Sequence, residues 1–178
     1  MSSDAISIRV DDARVMDLLG RIQERGGDLK TAFADAGESL VSAIQARFDQ
    51  EKDPDGKEWQ DLSYSTVMSR LGGSRKTFKK KGGLRAKAAR SISAMKILSA
   101  SGKLRRSYVY QADKDQLRVG SGKKYAAIHE KGGEAGRKSH RFQMPRRSAL
   151  TTSKDQLNDT DMGEVLTILQ SHMMEPAR

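Results

Sequence analysis

Three groups of side chains in this 178-residue sequence have the types and spacing that chemistry at a site could use. His129 and Glu130 begin like the zinc-binding helix motif, in which a second histidine follows one turn later. Gly133 stands where that histidine is needed, and the three histidines of the chain share no metal-ligand spacing. Because His129 lies one helical turn after Tyr125, we predict a packed or hydrogen-bonded histidine instead of a catalytic one.

The second group consists of acidic side chains around a tight turn. Glu51, Asp53 and Asp55 alternate before Gly56, as ligands of a calcium loop do. A proline lies inside this loop, and Leu62 occupies the place of the bidentate glutamate. The Asp-Pro-Asp-Gly sequence therefore predicts a turn and no calcium site.

Two further patterns fail as sites. The Gly-Lys pairs that begin at Gly102 and Gly122 lack the upstream glycine and the following hydroxyl of a phosphate loop. Ser99 and Ser101 have no paired base, and the absence of cysteine excludes disulfides and thiolate chemistry. The sequence predicts no enzyme, no cofactor and no metal.

The third group is a basic segment. Residues 62–112 hold 13 of the 33 Lys and Arg residues and no acid, whereas the rest of the chain has 20 basic and 23 acidic residues. Such a strip attracts phosphates or acidic protein surfaces, but with only Phe78 in its middle base stacking is not indicated. A functional electrostatic contact and a passive solvated loop both remain open. The candidate contact residues are Arg75, Lys76, Lys79, Lys80, Lys81, Arg85 and Lys87.

Apolar periodicity predicts the helices that position these groups. Residues at steps of three and four predict a long amphipathic helix from Asp28 to about Gln50, after a shorter helix that starts at Asp11-Asp12 and ends near Gly26. A C-terminal helix within 155–178 is expected to pack against the long one.

The middle of the chain is predicted to alternate short elements with an exposed excursion. Ser63 is expected to cap a helix over Tyr64–Leu71. Residues 72–90 lose apolar periodicity, so they are interpreted as an extended basic loop, with a short helix as an alternative over Leu84–Lys96. Trp59 is expected in the core or at an interface, not as a ligand-stacking residue.

Two strand-like segments around polar turn residues predict a β-hairpin over Arg106–Gln111 and Gln116–Gly120. A short helix over Tyr125–Lys131 should follow and stop at Gly132-Gly133. We therefore predict a single α+β domain over 1–178, in which long amphipathic helices pack on a small antiparallel sheet.

Composition limits the size of the core. Hydrophobic residues make up 36% of the chain, and the mean hydropathy is -0.70. A small core that is completed by neighbouring subunits fits this composition better than a large private core. No stretch approaches the apolar length of a membrane span or the pattern of a signal peptide, so we expect no membrane partner.

Several ordered motifs resemble one family. They are Arg47-Phe48, PDGKEWQDLS over 54–63, ILSASGKLRRS over 97–107, VGSGKKYAAIHEKGG over 119–133 and MPRRSAL over 144–150. Together they resemble the phage virion morphogenesis family, which includes tail-completion and neck proteins of Mu-like and related tailed phages. In the last motif Ser148-Ala149-Leu150-Thr151 follows where the family often has an aromatic residue and Leu-Gly.

The resemblance implies a structural virion protein. It implies a ring of copies of this chain, expected to be sixfold, at the neck of the virion between head-connector and tail-tube proteins, assembled in the bacterial cytoplasm. The basic segment would face genome DNA or an acidic partner, and Trp59, Tyr125, His129, Pro145 and Arg146 would form scaffold and subunit contacts. The alternatives are a nonspecific DNA-binding accessory protein and a capsid assembly factor that leaves before maturation.

Overall fold

A computed structural model describes residues 13–24 and 29–174 of the chain. Its helices are α1 (Ala13–Glu24), α2 (Lys30–Gln50), α3 (Tyr64–Leu71), α4 (Ser74–Thr77), α5 (Ala86–Ser93), α6 (Ala126–Lys131) and α7 (Asp159–Met174). Its strands are β1 (Tyr108–Ala112), β2 (Leu117–Ser121), β3 (Gly133–Arg137) and β4 (His140–Met144). The α+β prediction is confirmed, but within the described residues the strands form two separate two-stranded antiparallel sheets instead of one.

Helix α2 lies at the centre of the core. Its apolar positions, spaced by three and four residues, are buried from Ala32 to Phe48, as the periodicity predicts. Helix α7 packs antiparallel to it, because Arg47 contacts Asp161 near the start of α7 and Asp35 contacts His172 near its end. The predicted packing of the C-terminal helix on the long helix is therefore confirmed. The proposed start of α1 at Asp11-Asp12, its end near Gly26 and the capping role of Asp28 lie outside the described residues.

The predicted hairpin forms as β1 and β2 and packs with one face on α2. Tyr108 and Val119 are buried on that face, and Tyr108 lies 5.9 Å from Phe48, ring centre to ring centre. Tyr110 lies directly over Gly37, where a β-carbon would come within 2.5 Å of its ring. Glycine in the middle of α2 therefore lowers helix propensity but lets the hairpin approach.

The short helix predicted within Leu84–Lys96 is confirmed as α5, but the prediction that the rest of 72–90 is an extended loop is wrong. Ser63 caps α3 as predicted, accepting a hydrogen bond from the Thr66 amide at 3.3 Å. Gly72 and Gly73 then turn the chain into α4, a bridge joins Phe78 to Leu84, and α5 follows. We call residues 64–93 the α3–α5 unit. Hydrogen bonds within its own backbone order the unit, and Thr77 and Ala88 are buried in it. No apolar periodicity in the sequence predicts this burial.

Strands β3 and β4 form a second hairpin that the sequence did not predict. We call it the arm. Only Ala135 and Met144 of its strand residues are half-buried, and the two strands pack mainly against each other. Gly132, Gly133 and Gly136 all have positive φ angles, so the arm leaves α6 through backbone that glycine adopts without strain.

Candidate functional site

A buried carboxylate organises the region between α6 and the segment after β4. Glu130 of α6 accepts hydrogen bonds from the Tyr108 hydroxyl and the Ser148 hydroxyl, both at 2.5 Å, and from the Ala149 amide at 3.1 Å. Burial, together with the charge of Glu130, raises the pKa of the Tyr108 hydroxyl well above its ordinary value. The tyrosine therefore stays a neutral donor, and the carboxylate has donors on both oxygens.

The MPRRSAL segment wraps this carboxylate with hydrogen bonds to backbone. The Arg146 guanidinium donates to the Glu130 carbonyl at 2.7 Å and to the Thr151 carbonyl at 2.7 Å. The Trp59 indole donates to the Ser148 carbonyl at 2.9 Å. We call Glu130, Trp59 and residues 145–152 the Glu130 knot. It joins α6, the segment around Trp59 and β1 in one place.

An ion pair fastens the knot to the central helix. The Arg47 guanidinium contacts both carboxylate oxygens of Asp161, at 2.5 and 2.7 Å, and donates to the Ala149 carbonyl at 3.0 Å. Both contacts to Asp161 come from Nη2, while Nη1 donates to Ala149, so this one guanidinium bridges α7 and the 145–152 segment. The Arg47-Phe48 motif thus supplies one residue to the knot and one to the core.

A groove of about 520 Å³ opens beside the knot. We call it the His129 groove. Its walls come from the start of α3, the 98–104 loop, α6 and the base of the arm. Two aromatic side chains stand exposed at its edge, Tyr125 at 44% and Phe142 at 53%. Lining residues that matter below are Gln60, Arg70, Leu98, His129, Pro145 and Arg147.

The groove is electropositive. Arg147 donates to the carbonyls of Gln60 and Asp61 at 2.8 and 2.9 Å, and Arg70 lines the same space. Burial, and after it the charge of Arg70, lowers the pKa of Arg147, which stays protonated because a guanidinium starts so high. Asp61 lines the groove as well, and its charge opposes this lowering of the pKa, so the charged lining of the groove comprises two arginines and one acid.

His129 adds an unused polar atom to this space. Its ring lies 6.4 Å from that of Tyr125, edge to face, on the shared helical face that the spacing predicts. Within the described chain, its buried Nδ1 atom finds no hydrogen-bond partner. Burial, then the charge of Arg147, lowers the pKa of His129, so the imidazole is neutral at neutral pH.

The predicted scaffold residues fall into two adjacent places. Trp59 is 5% exposed, in edge-to-face contact with Phe48, and with Arg146 it belongs to the Glu130 knot. Tyr125, His129 and Pro145 line the groove. Their role in subunit contacts stays a prediction.

The predicted electrostatic residues lie together on the exposed side of the α3–α5 unit. Arg75, Lys76, Lys79, Lys80, Lys81, Arg85 and Lys87 are all exposed. The Arg85 guanidinium donates to the Phe78 carbonyl at 2.9 Å and so stabilises the bridge that shapes the unit. The seven cations are therefore exposed on a folded support, which Arg85 itself helps to hold together.

The carboxylates that could suggest a metal site accept hydrogen bonds from backbone amides instead. Asp53 accepts from the Lys57 amide at 2.9 Å, and Asp55 accepts from the Ser153 amide at 3.0 Å, so this turn is held by its own chain. Across residues 13–24 and 29–174, no three metal-ligating side chains gather in one place. No helix in the described ranges is both long and apolar enough for a bilayer crossing.

Sequence reasoning missed Glu130 and the arm. Glu130 was considered only as the second letter of a failed zinc motif. Its role needs donors from residues 18 to 21 positions later, which no local pattern displays. The arm has a weak signal in the glycines that precede its Lys138-Ser139 turn, Gly132, Gly133 and Gly136, but too few β-branched residues to indicate strands.

Comparison with known proteins adds one match. The model of the phage virion morphogenesis family matches residues 10–174, which is most of the chain. No curated protein and no solved structure matches. The matched span includes α1, the Glu130 knot, the His129 groove and the α3–α5 unit.

Proposed function

The chain belongs to the phage virion morphogenesis family, and on that premise we propose that it is a tail-completion or neck subunit. It forms a ring, sixfold, between the head connector and the tail tube of a tailed phage. Family membership already gives a structural role in building the virion. The observation that carries the finer proposal is the His129 groove, a concave, electropositive surface with exposed aromatic edges.

The arm supports a role in assembly. A hairpin of two strands is marginally stable in water by itself, and this one has little packing from the rest of the described chain. Contact with a neighbouring subunit would cover its exposed Phe142 and its free strand edges. Such surfaces fit a ring, in which neighbours complete what each subunit leaves open.

The α3–α5 unit gives the ring a second kind of contact. Its seven exposed cations can approach duplex phosphates in the central passage or an acidic rim on an adjoining ring. Neither contact requires base recognition, since no aromatic or recognition-helix pattern accompanies the charge.

Electron microscopy of assembled particles tests the proposal. We expect density for this chain as a closed ring at the neck, and we expect phage that lack it to yield separate heads and unjoined tails. Supplying the intact chain in trans should restore joined particles. Finding no copy of the chain in finished virions would overturn the proposal and favour an assembly factor that departs before maturation.

The exposed cations of the α3–α5 unit favour a second candidate, a nonspecific DNA-binding accessory protein. This candidate predicts that the purified chain binds duplex DNA of any sequence, with affinity that falls steeply as salt rises. Replacing Lys79, Lys80 and Lys81 by glutamine should reduce the slope by about three. Binding that is absent, or that survives high salt, removes the candidate.

A further inference from the structure

The direction of β1 along α2 shows which parts of the chain share an end of the molecule. Tyr108, at the start of β1, lies beside Phe48 near the C-terminal end of α2. Tyr110, two residues later, lies over Gly37 in the N-terminal half. Strand β1 therefore runs toward the N-terminal end of α2, and the β1–β2 turn lies on that side of the molecule.

This end of the molecule is acidic. The turn carries Asp113 and Asp115 on this side, α2 exposes Asp35 and Glu38 in its N-terminal half, and the Tyr110 ring is 38% exposed. Among the described residues, Lys30, Lys114 and Arg118 stand against these four acids, and Asp35 already contacts His172 at 3.2 Å. The acidic end consists of Asp35, Glu38, Asp113 and Asp115, all of them exposed.

The His129 groove lies at the opposite end of α2. Glu51, the residue that caps the helix, accepts hydrogen bonds from the Ile97 amide through its carboxylate and from the Trp59 amide at 2.8 Å through its carbonyl. The next residues along both segments, Leu98 and Gln60, line the groove. At 1.5 Å per residue, the two ends of this 21-residue helix are about 30 Å apart.

The groove end is basic on both sides. The arm carries Arg137, Lys138 and Arg141 against a single acid, Glu134, and Arg141 already pairs with that acid at 2.8 Å. The α3–α5 unit flanks the other side with its exposed cations. Arg70 and Arg147 line the groove itself, together with one acid, Asp61. Each subunit therefore has a negative end with an exposed aromatic ring and a positive concave end with two more.

We propose that the acidic end of one copy seats in the His129 groove of the next, between the arm and the α3–α5 unit. This contact rests on the proposed ring and specifies its subunit interface. Two different, complementary surfaces on one subunit generate a head-to-tail chain, which closes into a ring when the rotation per subunit allows it. Carboxylates entering the groove would meet its two arginines in addition to Asp61, which lines it already.

Two charge-reversed variants test the contact. One carries Glu38→Lys and Asp115→Lys on the acidic end, and the other carries Arg137→Glu and Lys138→Glu on the arm. All four side chains are exposed, so the fold should be kept, which circular dichroism verifies. Lys154→Glu, an exposed reversal on neither surface, is the control. Native mass spectrometry measures assembly of each variant alone and of a 1:1 mixture.

We expect each variant alone to raise the apparent dissociation constant of the subunit contact by about tenfold or more, since like charges then meet. The 1:1 mixture should assemble, because native and reversed pairs then alternate around the ring. Lys154→Glu should assemble as the unaltered chain does. Rings from either variant alone would overturn the contact and leave the proposed neck ring intact. A mixture that stays monomeric, or an unaltered chain that never self-associates, would also overturn the contact, whereas the neck location is judged separately by microscopy.

Discussion

The Glu130 knot and the α3–α5 unit use charged side chains in opposite ways. In the knot, Glu130 is 2% exposed, and its oxygens are surrounded by hydroxyl and amide donors from distant parts of the chain. In the unit, seven cations are exposed on two short helices and the turn between them, which barely contact the core. A buried charge is bound by its own chain and contributes to folding, whereas an exposed charge on a folded support is available to another molecule.

Removing the knot's carboxylate should have the largest effect on stability. Glu130→Ala leaves several buried donors without an acceptor, so we expect a loss of about 3–5 kcal/mol in the free energy of unfolding. Urea denaturation followed by circular dichroism measures it. Glu134→Ala, which removes an exposed acid paired only with Arg141, is the matched control and should cost less than about 1 kcal/mol. Equal losses in the free energy of unfolding for the two variants would contradict the distinction between the buried knot and the exposed surface.

Placing a methyl group at Gly37 should have the next largest effect, with a sign opposite to helix propensity. Alanine favours an isolated helix by about 1 kcal/mol over glycine. Here its β-carbon would meet the Tyr110 ring at 2.5 Å, so we expect Gly37→Ala to destabilise the protein by about 1–2 kcal/mol. In a Tyr110→Ala background the same change should become stabilising. If the stability effects of the two substitutions simply add in this double-mutant cycle, the close contact between Gly37 and Tyr110 is contradicted.

Acidification should weaken the fold through His129. Burial, and next the charge of Arg147, holds its folded pKa below the unfolded value of about 6.5, while Glu130 opposes them. Between these two pKa values the unfolded chain binds more protons, so stability falls as the pH drops below about 6.5. Urea midpoints measured from pH 7 to pH 5 check this. His129→Gln should flatten the slope, whereas His140→Gln, at an exposed position, should leave it unchanged.

Neutralising cations of the α3–α5 unit should have the smallest effect on stability. Lys79, Lys80 and Lys81 are exposed, so replacing all three by glutamine should change the free energy of unfolding by less than about 0.5 kcal/mol. The same variant should elute from a cation-exchange column at a lower salt concentration than the unaltered chain. A large loss of stability would mean that these lysines contribute to the fold, as the residues of the Glu130 knot do.

Local patterns in the sequence determined much of the fold. Apolar spacing predicted α2 and its packing face, Ser63 predicted the start of α3, and the polar turn predicted the β1–β2 hairpin. The Gly132 stop after α6 was also predicted. These features depend on neighbours within a few residues, where backbone geometry and side-chain periodicity act directly.

Only the tertiary structure decided how distant polar residues are used. Glu130 binds hydroxyl and amide groups of residues 148–151, and Arg47 joins the knot to α7, across separations that carry no local pattern. The composition of this region suggests a loop, but hydrogen bonds within its own backbone order the α3–α5 unit. The physical reason is the same in each case: burial changes the energy of a polar group, and burial is a property of the folded chain as a whole.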